Sequence, residues 1–423
     1  MQITYFDDKK VSAGSIKSTL RQLGSYREEV QKVVEKCDQS KPEYSLALWQ
    51  DTKMLAEVEA VTKKFKKVEH VVLIGIGGSS LGTEAIHSVL ATPASPHLHV
   101  LDTVSTHELQ TLLRHLSKVK KAEQIAICVI SKSGGTTETL ANAEEVLAAL
   151  AQQFTAKQVY RQTIFIGDKG NQLLKKGSKL GINTIAMPAV VGGRYSVFTP
   201  VGLVPLKLLG HDLDTLLTGL KDATTSDYEL LAAEGAAHVY GHLKRGSRNV
   251  NFFAFDTRFV RLGKWYRQLT AESLGKAVTK KKKPVKLGFI PTISTAVELH
   301  SIGQLYLSGF QGVYTDFVGF DPEQLDEDLT ISKKPIVAAK LKSLSLNTIN
   351  DAIFGGVKAA YMDRKLAFRS TIFDVDPEYE LGLFMGMRML ETMYMANLLN
   401  VNAFDQPNVE LYKDKTREIL DSK

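Results

Sequence analysis

Residues 71–82 read Val71-Val72-Leu73-Ile74-Gly75-Ile76-Gly77-Gly78-Ser79-Ser80-Leu81-Gly82. Four apolar residues in a row have the composition of a buried parallel strand, and the glycines after them permit a tight turn into the helical pattern of Leu81 to Leu90. A strand that turns at once into a helix is the opening unit of a βαβ fold. The alternation continues outward. Apolar runs at Leu98 to Leu101, Ile125 to Ile130, Ile164 to Ile166 and Thr184 to Met187 alternate with helical patterns at Leu109 to Leu116, Leu140 to Leu150 and Leu173 to Leu180. Short connections between such elements predict an α/β fold, its parallel strands doubly wound into an open sheet with helices on both faces.

A helical stretch at 227–243 leads to a second α/β set, with strand-like runs at Val250 to Phe255, Val285 to Ile290 and Val313 to Phe317. Upstream of residue 70, Ile16, Leu20, Leu23, Val30, Val33 and Val34 recur at helical spacing, as do Met54, Leu55, Val58, Val61 and Phe65. The chain ends in helices. Asp376-Pro377 reads as an N-cap with first-turn proline before the Met- and Leu-rich stretch Leu381 to Leu399, whose methionines read as core, and a last short helix is expected from near Asp405 through Leu420. The expected organisation is a helical segment at 1–66, a first α/β domain at 67–210, a second at 211–375 and packing helices at 376–423.

Composition narrows the function classes. The 423 residues are 44% hydrophobic and 23% charged, which suits a folded protein of more than one domain. A net charge of +7 is spread thinly, and the one dense basic run, Lys280 to Lys283, reads as a solvated loop, so no nucleic-acid partner is expected. Cys37 and Cys128 form no disulfide framework, the N-terminus lacks a signal-peptide pattern, and no window approaches the roughly 18 apolar residues of a membrane span. A cytoplasmic protein with no membrane partner is expected. C-x-x-C pairs and H-E-x-x-H are absent, so neither a metal nor another cofactor is expected.

Two strand-to-helix turns carry anion chemistry. In Gly75 to Gly82, backbone N–H groups and the helix dipole favour a phosphate. Ser80 stands where a dinucleotide fingerprint has its third glycine and no Gly-Lys-Ser/Thr follows, so neither a nicotinamide cofactor nor a P-loop is favoured, and a turn serving tight packing alone is the plainer alternative. Ser131-Lys132-Ser133-Gly134-Gly135-Thr136-Thr137-Glu138-Thr139 crowds hydroxyls into a second such turn, more than an N-cap needs. Both turns fall at the carboxyl ends of strands, where open α/β sheets bind ligands. Further on, Gly192-Gly193-Arg194-Tyr195-Ser196 holds an arginine between glycines, a fixed cation or else a plain surface arginine. In Trp265 to Lys276, Gln268 and Glu272 share one helical face, and a carboxylate at the end of a helix, where the dipole disfavours the anion, suits proton abstraction near neutrality. The alternative is a salt bridge from Glu272 to Lys276. His300 and Lys413 stand out by nothing but residue type.

Taken together, these segments resemble the glucose-6-phosphate isomerase family, in the order Gly75–Gly82, Ser131–Thr139, Gly192–Ser196, Ala271–Lys276, the His300 segment and Phe404-Asp405-Gln406 with Lys413. The likeness spans about residues 40–420 and is to the shorter bacterial forms. It implies two sugar-isomerase-type domains and reversible isomerisation of glucose 6-phosphate and fructose 6-phosphate through a cis-enediol, in glycolysis and gluconeogenesis. By the same resemblance Glu272 is the base, Arg194 faces the enediolate oxygen, and His300 with Lys413 opens the sugar ring. Ser79, Ser131, Lys132, Ser133 and Thr136 hold the phosphate, while Gly78, Gln268 and Gln406 contact the sugar. It also implies a homodimer in which His300 reaches the neighbouring subunit's site. The alternatives are a wider substrate range that includes mannose 6-phosphate and a sugar-phosphate-binding regulatory protein, which needs only the phosphate loops.

Overall fold

The protein is described from a computed structural model covering residues 1–7, 11–308, 310, 312–324 and 329–422. Ten strands among the described residues form two five-stranded sheets. The first contains β2 (His70–Ile74), β3 (His97–Leu101), β4 (Ile125–Ile130), β5 (Thr163–Asp168) and β6 (Asn183–Met187), in the order β3-β2-β4-β5-β6 and parallel throughout. The second contains β1 (Gln2–Phe6), β7 (Asn249–Ala254), β8 (Ile290–Thr295), β9 (Val313–Phe320) and β10 (Phe368–Phe373), in the order β1-β10-β9-β7-β8. In each sheet the earliest parallel strand lies between the next two in chain order. Winding therefore reverses at β2/β4 and again at β7/β9, and a crevice opens at the carboxyl ends of both strand pairs.

The central strands are apolar because both faces are covered. All six residues of β4 are buried, with helices packed on either side. One continuous core joins the two sheets, running from Leu73, Ile130 and Ile166 through Tyr195 and Trp265 to Phe252 and Val318. The helix Pro377–Leu398 fills its centre. Asp376 caps it as expected, and Met385, Met387, Met389, Met393 and Met395 are all buried in it.

The second sheet departs from the expectation in three places. It includes β1 and β10, which the apolar pattern does not reveal, and β1 runs antiparallel to β10, so this sheet is not wholly parallel. In β10 the apolar run is broken by Arg369, yet Arg369 is buried: its guanidinium bonds to Asp316 on β9 (3.0 Å and 2.6 Å) and to Glu391 (2.7 Å), and Arg388 closes the network. The third strand is Ile290–Thr295 instead of Val285 to Ile290. Val285, Leu287 and Phe289 lie against the core outside the sheet, whereas Thr292 and Ser294 pair along β7 through their hydroxyls to Asn249 and Asn251 (2.8 Å and 3.0 Å). The last helix also starts later than expected, at Glu410, leaving Asp405 and Gln406 in the preceding loop.

Candidate active site

The β2/β4 crevice is bordered by both anion-type turns. After β2 the chain takes a short turn, Gly77–Ser79, into the helix Leu81–Leu90, and Ser80 makes no side-chain cap bond to that helix. After β4 the helix Thr137–Gln153 likewise starts without one, although Thr136 occupies the cap position. The Thr136 hydroxyl pairs instead with Ser131 Oγ (2.9 Å), and Ser131 Oγ accepts from the Gly134 amide (3.1 Å). Ser12, Asp51, Ser105, Asn171 and Asp376 cap their helices in the ordinary way. The two helices at the crevice thus present first-turn N–H groups that no capping side chain has taken, beside Ser79, Ser131, Ser133 and Thr136. Lys132 is nearby but tethered: its ammonium donates to the carbonyls of Ala189 (3.0 Å) and Val191 (2.9 Å), tying this turn to the loop before Arg194.

A second group meets the first at Gly78. A Cβ there would lie 2.2 Å from the Gly193 carbonyl oxygen, so the turns at 77–79 and 193–195 can touch because residue 78 is glycine. Beyond this contact is Arg194, only 2% exposed. Its Nε donates to Ser273 Oγ (2.8 Å), Nη1 to Gln406 Oε1 (3.0 Å) and to Glu272 Oε2 (3.3 Å), and Nη2 to the carbonyls of Ala403 and Asp405. With its donors engaged on several elements, the guanidinium is a fixed, permanently charged group. Tyr195 supports Ser273 from behind (3.0 Å), and burial pushes that phenol up to about 12, so it stays protonated.

The helix Val260–Leu274, which packs on Leu81–Leu90, brings Glu272 to this point. Gln268 and Glu272 do share a face, with Gln268 Nε2 donating to Glu272 Oε1 (3.0 Å). Gln268 Oε1 is buried and accepts no hydrogen bond from the protein, a vacant acceptor suited to a hydroxyl. The possible Glu272–Lys276 salt bridge is not formed. Lys276 donates to the Glu272 backbone carbonyl (2.7 Å) and pairs with Asp405 (3.0 Å), leaving the carboxylate to Arg194 and Gln268. A carboxylate held between a fixed cation and an amide, next to an open anion cradle, can move a proton on a carbon whose neighbouring oxygen gains charge.

Arg194, Gln268, Glu272 and Gln406 therefore converge, and Gly78 adjoins them. His300 and Lys413 join neither these hydrogen bonds nor the two phosphate-type turns. His300 is exposed at the end of the turn Ala296–His300, which follows the edge strand β8. Lys413 lies on Glu410–Asp421, a helix with no buried residue, and pairs with Glu410 (2.8 Å). Sequence reasoning overlooked the supporting partners Ser273 and Asp405, and offered Lys276 only as a partner of the Glu272 carboxylate. All three lie inside the quoted motifs, and the signal available was a lysine following the helix-ending Gly275. The Lys280 to Lys283 run is exposed, as expected of a solvated loop.

Comparison with known proteins gives a consistent picture. A family profile described as phosphoglucose isomerase matches residues 35–340. A glucose-6-phosphate isomerase of Thermus thermophilus is 32% identical over 378 residues, covering 88% of each chain. Among solved structures, a hypothetical protein from Thermus thermophilus superposes with a TM-score of 0.85 at 28% identity, covering 99% of this chain and 100% of that one. A glucose-6-phosphate isomerase from Chlamydia trachomatis shares the fold with a TM-score of 0.80 at 19% identity, over 99% of this chain and 88% of the other.

Proposed function

Because the chain belongs to the phosphoglucose isomerase family, we propose that it interconverts glucose 6-phosphate and fructose 6-phosphate, the aldose–ketose step of glycolysis and gluconeogenesis, as a cytoplasmic enzyme. The observation that carries this reading is the meeting of Glu272 and Arg194 beside two uncapped helix starts. The phosphate occupies the turns at 77–79 and 131–136, held by Ser79, Ser131, Ser133, Thr136 and free N–H groups. Glu272 removes the C2 proton of the open-chain aldose. The electron pair left behind forms the C1–C2 double bond, and the carbonyl π electrons move to the C1 oxygen, where Arg194 stabilises the charge. The C2 hydroxyl proton passes to the C1 oxygen, the electron pair left on the C2 oxygen forms the new carbonyl, and the C1–C2 π electrons take the proton back from Glu272 at C1, giving the ketose. Gln268 Oε1 and Gln406 orient the sugar hydroxyls.

Ring opening needs an acid–base group at the ring oxygen. In this reading the site is completed in a homodimer by the partner subunit's His300, and Lys413 assists once its helix closes on the sugar. The support is that His300 projects from beyond an edge strand among exposed apolar residues, Val297 at 74% and Leu305 at 47% exposure. A fully active monomer in sedimentation would overturn the shared site.

The test is NMR of the protein with fructose 6-phosphate in heavy water. Glucose 6-phosphate carrying deuterium at C2 is expected, and binding without turnover would favour a sugar-phosphate sensor instead. Glu272→Gln is isosteric and is expected to cost about 10²- to 10⁴-fold in kcat with the fold retained, measured by the same exchange and by thermal unfolding.

A further inference from the structure

Lys276 is a charged group of this region that the reaction above leaves without a role. Its side chain is only 7% exposed, and burial lowers its pKa from the usual lysine value, with the Asp405 carboxylate opposing that shift. An ammonium in such a place is held against its hydration, which asks for a reason. Three contacts supply one. The ammonium caps the end of the base helix by donating to the Glu272 carbonyl at 2.7 Å, pairs with Asp405 Oδ1 at 3.0 Å, and donates to the Asp405 backbone carbonyl. That same Asp405 carbonyl also accepts from Arg194 Nη2 at 3.0 Å. One oxygen thus joins the two cations.

The loop it holds is set from within and is also held by Arg194, which bonds the carbonyls of Ala403 and Asp405 and the Gln406 side chain. Asn402 donates to Asp405 Oδ2 (3.0 Å) and accepts from the Phe404 amide (3.0 Å), giving the loop its bend. Two cations attach it to the base helix: Arg194, which also bonds Ser273 and Glu272, and Lys276, with a backbone bond from Lys280 to Asn400 (2.7 Å) nearby. Gln406 follows directly on Asp405. In an inference that rests on the isomerase reading, we propose that Lys276 is a positioning residue for the reaction: with Asp405 it locks the end of the Glu272 helix, the Arg194 guanidinium and the Gln406 loop into one frame. Lys276 touches no substrate. It acts on the spacing between base, oxyanion cation and hydroxyl ligand, while the phosphate turns at 77–79 and 131–136 stand apart from it.

The test compares Lys276→Met, Lys276→Arg, Asp405→Asn and the Lys276→Met/Asp405→Asn double variant in the full chain. Steady-state kinetics with fructose 6-phosphate, affinity for inorganic phosphate and thermal unfolding are measured for each. Because misplacement of about 1 Å costs on the order of 100-fold in rate, Lys276→Met is expected to lower kcat about 10- to 100-fold. KM and phosphate affinity should stay within about twofold of wild type, since the loss falls on the chemical step. Lys276→Arg should recover most of the kcat loss at the same melting temperature as Lys276→Met, and the double variant should be no slower than Lys276→Met alone, because both remove one clamp. The proposal is overturned if Lys276→Met keeps wild-type kcat, if its loss appears in KM and phosphate affinity instead, if Lys276→Arg is no better than Lys276→Met, or if the two losses multiply. A wild-type chain that does not isomerise would overturn the isomerase reading itself, a separate result.

Discussion

The two sheets reverse their winding at the same topological position, yet only one of the two crevices is built for an anion. At β2/β4 the helices Leu81–Leu90 and Thr137–Gln153 begin without a capping side chain, and hydroxyls and glycines surround their first turns. At β7/β9 the turn after the first strand is Asp256-Thr257-Arg258. Asp256 accepts from the Arg258 amide (2.9 Å) and takes the Arg258 guanidinium on both oxygens (3.0 Å and 2.8 Å), while Phe255 and Phe354 stack at 4.3 Å across the opening. The second crevice has its anion covalently supplied; the first leaves that place for a ligand. Topology decides where a site can be, and the residues of one turn decide whether it is a site.

The largest effect that would break this contrast comes from Gly78→Ala. A methyl 2.2 Å from the Gly193 carbonyl oxygen must push apart the turns that carry the anion cradle and Arg194. A loss of about 100-fold or more in kcat/KM is expected at unchanged helical circular dichroism. Near-normal activity would mean that the contact between the two turns does not matter. In the other crevice, Asp256→Ala removes a cap from a place with no reaction to perform. About 1 kcal/mol of stability should be lost in urea unfolding, with kcat and KM unchanged; a kinetic defect there would show that the second crevice takes part in catalysis.

The smallest effect is a difference in acid response. The first sheet carries His70, His97 and His99 at its β2/β3 edge, and burial, followed by the neighbouring histidines, pushes His99 down to about 4. The unfolded chain takes up that proton near pH 6.5, so stability from this edge is complete above about 6.5 and falls as pH drops towards 4. In the second sheet, burial would raise the Glu391 carboxyl, but Arg369 and Arg388 more than offset it and hold it below the usual glutamate value. Its contribution persists to lower pH and is lost only as pH falls through that depressed value. Between pH 7 and 5, hydrogen exchange corrected for intrinsic rates should show β2 and β3 losing protection before β7 and β9. Equal losses would remove the distinction.

Legibility in the sequence followed the same divide. The first sheet was readable because its strands are buried on both faces and therefore continuously apolar, with glycine-rich turns marking their ends. The second was only partly so. Its β10 hides a buried arginine whose partners lie 53 residues back at Asp316 and 22 ahead at Glu391, and β8 is a Thr/Ser strand whose hydroxyls are satisfied by asparagines of β7. Residue type and position gave no hint of either compensation. In the candidate site, Glu272 and Gln268 could be paired from helical spacing alone, whereas the partners of Arg194 lie as far off as Gln406.

By itself the sequence determined the alternation of strand and helix, the two anion-type turns and the residue types able to move a proton. Those properties depend on hydrophobic period and turn chemistry, which act over a few residues. Only the tertiary structure decided that Gly78 meets Gly193, that Lys276 serves Asp405 and the Glu272 carbonyl instead of the Glu272 carboxylate, and that His300 and Lys413 stand apart from the cluster in this protomer. Such contacts are set by how the helix Val260–Leu274 packs between the two sheets, and long-range packing of that kind leaves no local pattern in the chain.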